Sequence, residues 1–385
     1  MPKKILIIAG EASSDCHAAL LVKAIKDVAP DTDFFGLGGT DMQEAGVDVL
    51  HNIVNMAVIG FSDVLKHYGQ LKKVYDELCG IIKKDTPDCA ILIDYPGFNL
   101  KIAEQLKAQN IPVIYYISPQ IWAWGFKRIN KIKLFVDKML VLFEFEKNIY
   151  EKAGVNVSFV GHPLLDEVRA SKDKVKFLGG LGLSCVKTTI GILPGSRNNE
   201  VTRILPIMAR SAKIINERLK SDKVQFLVAV AKTIDVGLVK NILGKTNLNI
   251  ALVKDESYNV MNASDAVMVA SGTATLETAL FGTPMAIIYK VSLFTYLIVR
   301  PIIKTPYIGM VNVLAGEEIV PEFIQHGAKP ELIADYMCRL AEDKIYSEEI
   351  KVKILRVKPK LGGPGAVYRA AKEITDFLRI GKAFK

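Results

Sequence analysis

The sequence predicts an α/β protein built from two doubly wound, parallel-sheet domains in series. Short apolar runs of strand length alternate with amphipathic helical stretches, which is βαβ logic. That pattern stops over a polar, Lys- and Gly-containing stretch at 166–186 and then restarts. Two of the later apolar runs lead straight into glycine loops followed by helix starts, at LPGSR (193–197) and SGTATLE (271–277).

In the first half, runs 5–9, 89–93 and 112–117 read as buried parallel strands. Runs 139–143 and 158–160 add further strands, and 18–28, 64–84 and 100–109 read as crossover helices. With the linker at 166–186, the domains are expected at 1–168 and 169–385. The second half gives strands at 189–193, 225–230, 250–253, 266–270 and 285–288. Helices are expected at 201–220, near 236–243 and at 273–281. From Pro330 onward the chain reads as helices broken by Gly362-Gly363-Pro364, and no internal repeat is evident. Ligands of such sheets sit at the carboxyl ends of the strands. Two Rossmann-like domains facing across a cleft make the GT-B architecture, which two-lobed binding proteins resemble in outline.

A chain of 385 residues exceeds one ordinary domain, and a half-hydrophobic composition suffices for two cores. The 50 basic and 41 acidic residues leave a net charge of +9, which favours anionic partners. Nucleic acid is not expected, because the basic residues are dispersed without interleaved stacking aromatics. The five cysteines (Cys16, Cys79, Cys89, Cys185, Cys338) have no C-x-x-C spacing, which points to a reducing cytoplasm rather than disulfides or zinc. No signal peptide is expected, since run 5–9 is short and enters Gly10-Glu11 at once. Run 291–299 lies between Lys290 and Arg300, well short of the roughly 20 residues a membrane span needs.

The two late loops carry the sharpest signal. A strand, a tight Gly turn and a helix start present backbone N–H groups that suit an anion, above all phosphate. Any α/β protein has glycine at such turns; the pair together with Arg197, a planar fork for phosphate oxygens, favours a nucleotide diphosphate. In GEASSDCH (10–17), Ser13, Ser14 or Asp15 suits a helix N-cap, while Glu11 and Asp15 also suit contact with an acceptor hydroxyl. Asp94, opening DYPGFN (94–99), either serves as a general base or orders its own turn. SPQIWAWG (118–125) holds both tryptophans, Trp122 and Trp124, which either wall a sugar site or pack in the core. Lys127, Arg128, Lys131 and Lys133 follow, as an acceptor-phosphate contact or a solvated face. His162 in VGHP (160–163) is either a binding or a structural histidine. Val64, Leu65, Tyr68 and Leu71 share a helix face, preceded by Val58, Ile59 and Phe61; this is a lipid-docking patch or an ordinary crossover helix. A D-x-D at 31–33 lies away from the phosphate loops, and no metal and no cofactor are expected.

The ordered set GEASSD, YISPQIWAWG, VGHP, LPGSR and SGTATLE, with VNVLAGEEIVPEFIQ at 311–325, resembles the lipid-A-disaccharide synthase family over essentially the whole chain. The resemblance implies a GT-B inverting hexosyltransferase that works without a metal. It would join UDP-2,3-diacylglucosamine to 2,3-diacylglucosamine 1-phosphate, giving a β-1,6-linked disaccharide phosphate and UDP in lipid A biosynthesis. It also implies a cytoplasmic protein peripherally bound to the anionic inner-membrane surface. A homodimer with swapped C-terminal helices is permitted, as is a helix crossing back to the first domain. By resemblance, Asp94 is the base and Arg197 the phosphate-gripping cation. The UDP-sugar site would gather Ser196, Ser271, Gly272, Thr273, Glu277, Asn312, Glu322 and Gln325, with the acyl patch near 58–71. The chain departs from the family at Ser14, usually Gly, and at Val311, usually Pro. The rivals are another GT-B enzyme, such as a UDP-N-acetylglucosamine 2-epimerase, and a two-lobed binder without turnover.

Overall fold

The computed structural model describes residues 3–54, 61–244, 248–303 and 305–383, without the side chains of 61–68, 294, 298, 299 and 380–383. The chain forms two compact units. The first comprises Met1–Asp166, Val299–Lys304 and Leu361–Lys385; the second comprises Glu167–Ile298 and Thr305–Lys360.

The first unit contains strands β1 (Lys3–Ala9), β2 (Thr32–Gly38), β3 (Asp48–Asn52), β4 (Cys89–Ile93), β5 (Val113–Tyr116), β6 (Lys138–Val141) and β7 (Val157–Phe159). They pair in parallel in the order β3-β2-β1-β4-β5-β6-β7. Strands β4 and β5 are wholly buried and continuously apolar, as helices on both faces require. The order reverses between β1 and β4. In sheets of this kind the loops that leave such a reversal diverge past the carboxyl ends of the strands, and ligands sit in the crevice between them.

The second unit repeats the design with β8 (Thr188–Leu193), β9 (Val224–Val230), β10 (Ile250–Lys254), β11 (Ala266–Ala270), β12 (Met285–Tyr289) and β13 (Glu322–Ile324). The parallel order is β10-β9-β8-β11-β12-β13, so the reversal falls between β8 and β11. LPGSR leaves β8 and SGTATLE leaves β11. Both glycine loops therefore flank the switch point of one sheet.

The apolar runs mark ten of the strands; β2, β3 and β13 carry no such run. Strand β2 is diluted by Gly36, whose absent Cβ would lie 1.9 Å from the Ile7 carbonyl oxygen. Strands β3 and β13 are sheet edges of half-buried and exposed residues, without a continuous apolar stretch.

The sequence boundary placed 361–385 with the second domain; the fold counts Leu361–Lys385 in the first unit. Asp166 caps the helix Ala366–Ala383 by accepting from the N–H groups of Gly365 (2.7 Å) and Ala366 (3.1 Å). Arg369 donates to the carbonyls of Val160 (2.8 Å) and Gly363 (2.7 Å). Glu373 accepts from Ser158 (3.0 Å) and pairs with Lys138 (2.9 Å). Gly363 apart, these partners are remote in sequence, so helical periodicity alone does not reveal them.

Cys16, Cys79, Cys89, Cys185 and Cys338 are not joined in disulfides. Among the described residues, no helix is long and apolar enough to cross a membrane. Asp31 and Asp33 are exposed on either side of buried Thr32, and the described residues hold no cluster of three metal-ligating side chains.

Candidate functional site

Asp94 directly follows β4, at the carboxyl end of the β1/β4 reversal of the first unit. Asp94 and Tyr95 both have φ of +46°, a left-handed pair of non-glycine residues at the end of β4. Each such residue costs about 1–3 kcal/mol, so the surroundings must enforce it. Asn99 does so by donating to the carbonyls of Ile93 (3.1 Å) and Asp94 (2.8 Å), and the Tyr115 hydroxyl donates to the Asp94 carbonyl as well. Gly10 completes the turn, because a Cβ there would lie 2.4 Å from the Tyr95 ring. Burial, then the neighbouring Glu11 carboxylate, pushes the Asp94 carboxyl up to about 6. A carboxylate so tuned is ionised at neutral pH yet basic enough to accept a proton.

The structure separates the two carboxylates of the first loop. Asp15 is buried, and its oxygens accept from the N–H groups of Gly39 (2.7 Å), Asp41 (3.0 Å) and Met42 (3.3 Å). It thereby caps the helix Thr40–Glu44 and closes the GLGG turn. Burial raises its pKa despite those bonds. Glu11, not Ser13 or Ser14, is the N-cap residue of the helix Ala12–Val28, and it is half-buried beside Asp94.

His162 and Trp122 lie in two further polar clusters. His162 is buried against Phe143, with ring centroids 5.3 Å apart, and its Nδ1 accepts from the Leu164 N–H at 3.2 Å. Burial, then the charge of His17, lowers its pKa to about 3. The ring is therefore neutral, with its proton on Nε2: a hydrogen-bond donor rather than an acid. Trp122 donates to Glu146 at 3.1 Å, and Ser118 donates to the same oxygen at 2.8 Å. Burial outweighs these bonds and pushes the Glu146 carboxyl up to about 7. Trp124 is exposed, with the Arg128 guanidinium 4.0 Å above its ring.

At the β8/β11 crevice of the second unit, Ser196, Arg197, Gly272 and Thr273 are exposed and Ser271 and Glu277 half-buried. Thr233 donates to the Ser196 carbonyl (2.6 Å), fixing the LPGSR loop. Ser271 donates to the Ile308 carbonyl (3.2 Å), and the Tyr258 hydroxyl lies 3.4 Å from Glu277. Glu200 sits over the loop: Oε2 accepts from the Ser196 N–H (3.2 Å) and Oε1 from the Arg197 guanidinium (3.0 Å). Sequence reasoning passed over Glu200, the third residue of the helix Asn198–Leu219, although an acidic residue in a helix's first turn is favoured by the helix dipole.

The late motif is occupied by its own backbone. Buried Asn312 donates to the Val320 carbonyl (2.8 Å) and Glu322 (2.9 Å), and accepts from the N–H groups of Ile319 (3.0 Å) and Val320 (3.2 Å). Glu322 accepts from the N–H groups of Ile308 (2.8 Å) and Gly309 (2.9 Å), at the start of the helix Met310–Ala315. Gln325 pairs with both backbone groups of Val291, at 3.1 and 3.3 Å. All three side chains shape the loops around β12 and β13.

Of the acyl patch, Val58 and Ile59 lie outside the described residues, as do the side chains of Phe61, Val64, Leu65 and Tyr68. Leu71 is half-buried on the helix Phe61–Lys84.

Two parallel α/β units, each with its crevice at the strand reversal, define the GT-B fold class of nucleotide-sugar enzymes. Solved structures agree at the level of fold. The co-structure of S. aureus MnaA with UDP matches with a TM-score of 0.64 at 13% identity, covering 98% of this chain and 97% of that one. The glycotransferase of kitacinnamycin matches with a TM-score of 0.66 at 14% identity, covering 98% and 100%. The family profile described as lipid-A-disaccharide synthetase matches residues 5–363. Lipid-A-disaccharide synthase of Geobacter metallireducens is 41% identical over 376 residues, 98% of this chain and 97% of that protein. The chain belongs to the lipid-A-disaccharide synthase family, and is thus a glycosyltransferase of lipid A biosynthesis.

Proposed function

We propose that the chain transfers 2,3-diacylglucosamine from its UDP derivative to the 6-hydroxyl of 2,3-diacylglucosamine 1-phosphate, with inversion. The acceptor oxygen attacks the anomeric carbon on the face opposite UDP. Its proton passes to Asp94, the carbon–oxygen bond to the diphosphate breaks, and UDP leaves. The products are the β-1,6-linked disaccharide 1-phosphate and UDP. Arg197 and the N–H groups of the LPGSR loop hold the leaving diphosphate, with Ser271, Gly272 and Thr273 beside them on the neighbouring strand end. Glu11 and neutral His162 serve the acceptor side as an acceptor and a donor of hydrogen bonds. Asp15, Asn312, Glu322 and Gln325 act by positioning loops.

The observation that carries this reading is Asp94: a turn held in left-handed backbone presents one carboxyl whose pKa burial raises to about 6. The substrates' acyl chains and phosphates suit peripheral binding at the cytoplasmic face of the inner membrane, where the +9 charge meets anionic lipid. The test is UDP release from UDP-2,3-diacylglucosamine, with and without the 1-phosphate acceptor, in EDTA and mild detergent. Acceptor-dependent release with a disaccharide product supports the reading. Release that ignores the acceptor or the acyl chains overturns it in favour of another UDP-sugar reaction.

A further inference from the structure

The loop that leaves β8 already holds an anion from its own helix. Glu200 lies in the first turn of the helix Asn198–Leu219, where a negative charge meets the positive end of the helix dipole. Its carboxylate takes the Ser196 N–H at 3.2 Å and the Arg197 guanidinium at 3.0 Å. Gly195 makes this approach possible, since a Cβ on Gly195 would sit 2.5 Å from Glu200 Oε2. The pair is accessible, with 47% of the Arg197 side chain and 32% of the Glu200 side chain exposed. A solvent-borne anion can therefore replace the carboxylate by rotation of one flexible side chain.

We propose that Glu200 is a built-in competitor for the diphosphate. In the free protein it occupies the same two donors that the diphosphate needs, and it returns to them when the product leaves. This rests on the reading that the LPGSR loop grips the UDP diphosphate. The apparent affinity of a site is reduced by the fraction of time it is open, so every anion at this loop binds more weakly than the bare donors would allow. The acylated donor offsets that loss through its sugar and acyl contacts. UDP lacks those contacts, so the returning carboxylate favours its departure. Glu200 thus lowers the affinity for donor and UDP by one common factor, and eases release of UDP while the donor stays held by its further contacts. A purely supporting role, with Glu200 steering Arg197 toward the ligand, predicts the opposite sign on removal.

The experiment is calorimetric titration of the full-length protein with UDP, and separately with inorganic pyrophosphate, which probes the loop alone. Glu200→Gln keeps the size of the side chain and removes its charge. Losing an exposed ion pair and a helix-terminal charge corresponds to UDP binding on the order of fivefold tighter. Pyrophosphate should tighten equally, and product inhibition by UDP should strengthen in the same ratio. Glu200→Ala carries the same expected sign and serves if the Gln variant does not fold, as judged by circular dichroism. Unchanged or weaker binding in the folded variants overturns the competitor role. If wild type fails to bind UDP, or Arg197→Ala binds it as well as wild type does, the reading of the loop itself fails.

Discussion

Replacing Asp94 by Asn should stabilise the protein at neutral pH while removing its transferase activity. Burial is the main reason the Asp94 carboxyl rises from 3.8 to about 6, with Glu11 adding to it. The folded state therefore binds a proton more tightly than the unfolded state does. For a carboxyl raised in this way, the destabilisation is absent below pH 3.8, grows through the window from there to about 6, and is complete above it. A shift of about two units at about 1.4 kcal/mol each makes the cost of the ionised form about 3 kcal/mol at pH 7. Asn keeps the shape without the charge, so the variant escapes that cost. Denaturant unfolding of wild type and Asp94→Asn at pH 4 and at pH 7 reads the effect directly. The stability difference should be small at the lower pH and approach about 3 kcal/mol at the higher. In parallel, kcat/KM of the wild type should fall about tenfold per pH unit below pH 6, while UDP affinity stays level. A stability gap that does not change with pH would refute the burial argument. An acid limb that persists in UDP binding would refute the assignment of that limb to Asp94.

Other predictions follow from single contacts. Arg197→Ala should weaken UDP binding by about tenfold to a hundredfold, as expected for losing charge-assisted bonds to a diphosphate, and Arg197→Lys should recover only part because it lacks the planar fork; calorimetry distinguishes the two. Gly10→Ala places a Cβ against the Tyr95 ring and so displaces the Asp94 turn; transfer should fall by about a hundredfold with UDP affinity intact. Trp122 and Trp124 are the chain's only tryptophans, and Trp122 donates to a glutamate whose carboxyl is pushed up to about 7. Tryptophan emission should titrate near pH 7 and lose that step in Glu146→Gln; a step that survives the substitution rules out Glu146 as its source.

What the sequence makes legible follows from the range of the interaction involved. Buried parallel strands are continuous apolar runs, so β1, β4, β5, β8, β9, β11 and β12 can be read directly. Strand β2 escapes because Gly36 and Gly38 interrupt it, and those glycines answer to neighbours elsewhere in the fold: the Ile7 carbonyl, Met42 and Asp15. The site divides in the same way. Asp94 and Arg197 are marked locally, each beside a strand end and a Pro-Gly turn, but for Asp94 that pattern leaves base and turn-former equally open, and only the family resemblance implies the base. The side chains of Asp15, Asn312, Glu322 and Gln325 look alike in sequence whether they face a ligand or a backbone. Asp15 finds its partners 24 to 27 residues away, and Gln325 finds its own 34 residues away. Polarity marks these positions, but the fold alone says what satisfies them.

The two sheets share one strand plan yet use their crevices with opposite polarity. At the β1/β4 reversal, the first unit gathers carboxyls, Glu11 and Asp94, and lets burial and mutual repulsion raise the pKa of Asp94. That is the environment of a proton acceptor. At the β8/β11 reversal, the second unit presents Arg197, a loop N–H that already attracts a carboxylate, and a second glycine turn. That is the environment of an anion holder. A glycosyl transfer separates charge in this sense: a proton leaves the acceptor oxygen while negative charge gathers on the departing diphosphate. The charges at each strand reversal suit one of those changes and oppose the other. Exchanging them would place the developing anion beside Asp94 and Glu11 and the developing cation beside Arg197. The division of polarity between two similar sheets therefore supports assigning the acceptor to the first unit and the UDP-sugar to the second. The same logic limits what substitution can repair. On the proposed reading, a neutral residue at Asp94 should remove the proton acceptor and leave the anion site intact, and a neutral residue at Arg197 should do the reverse. Restoring turnover in either variant by a charge placed on the other unit would contradict this division.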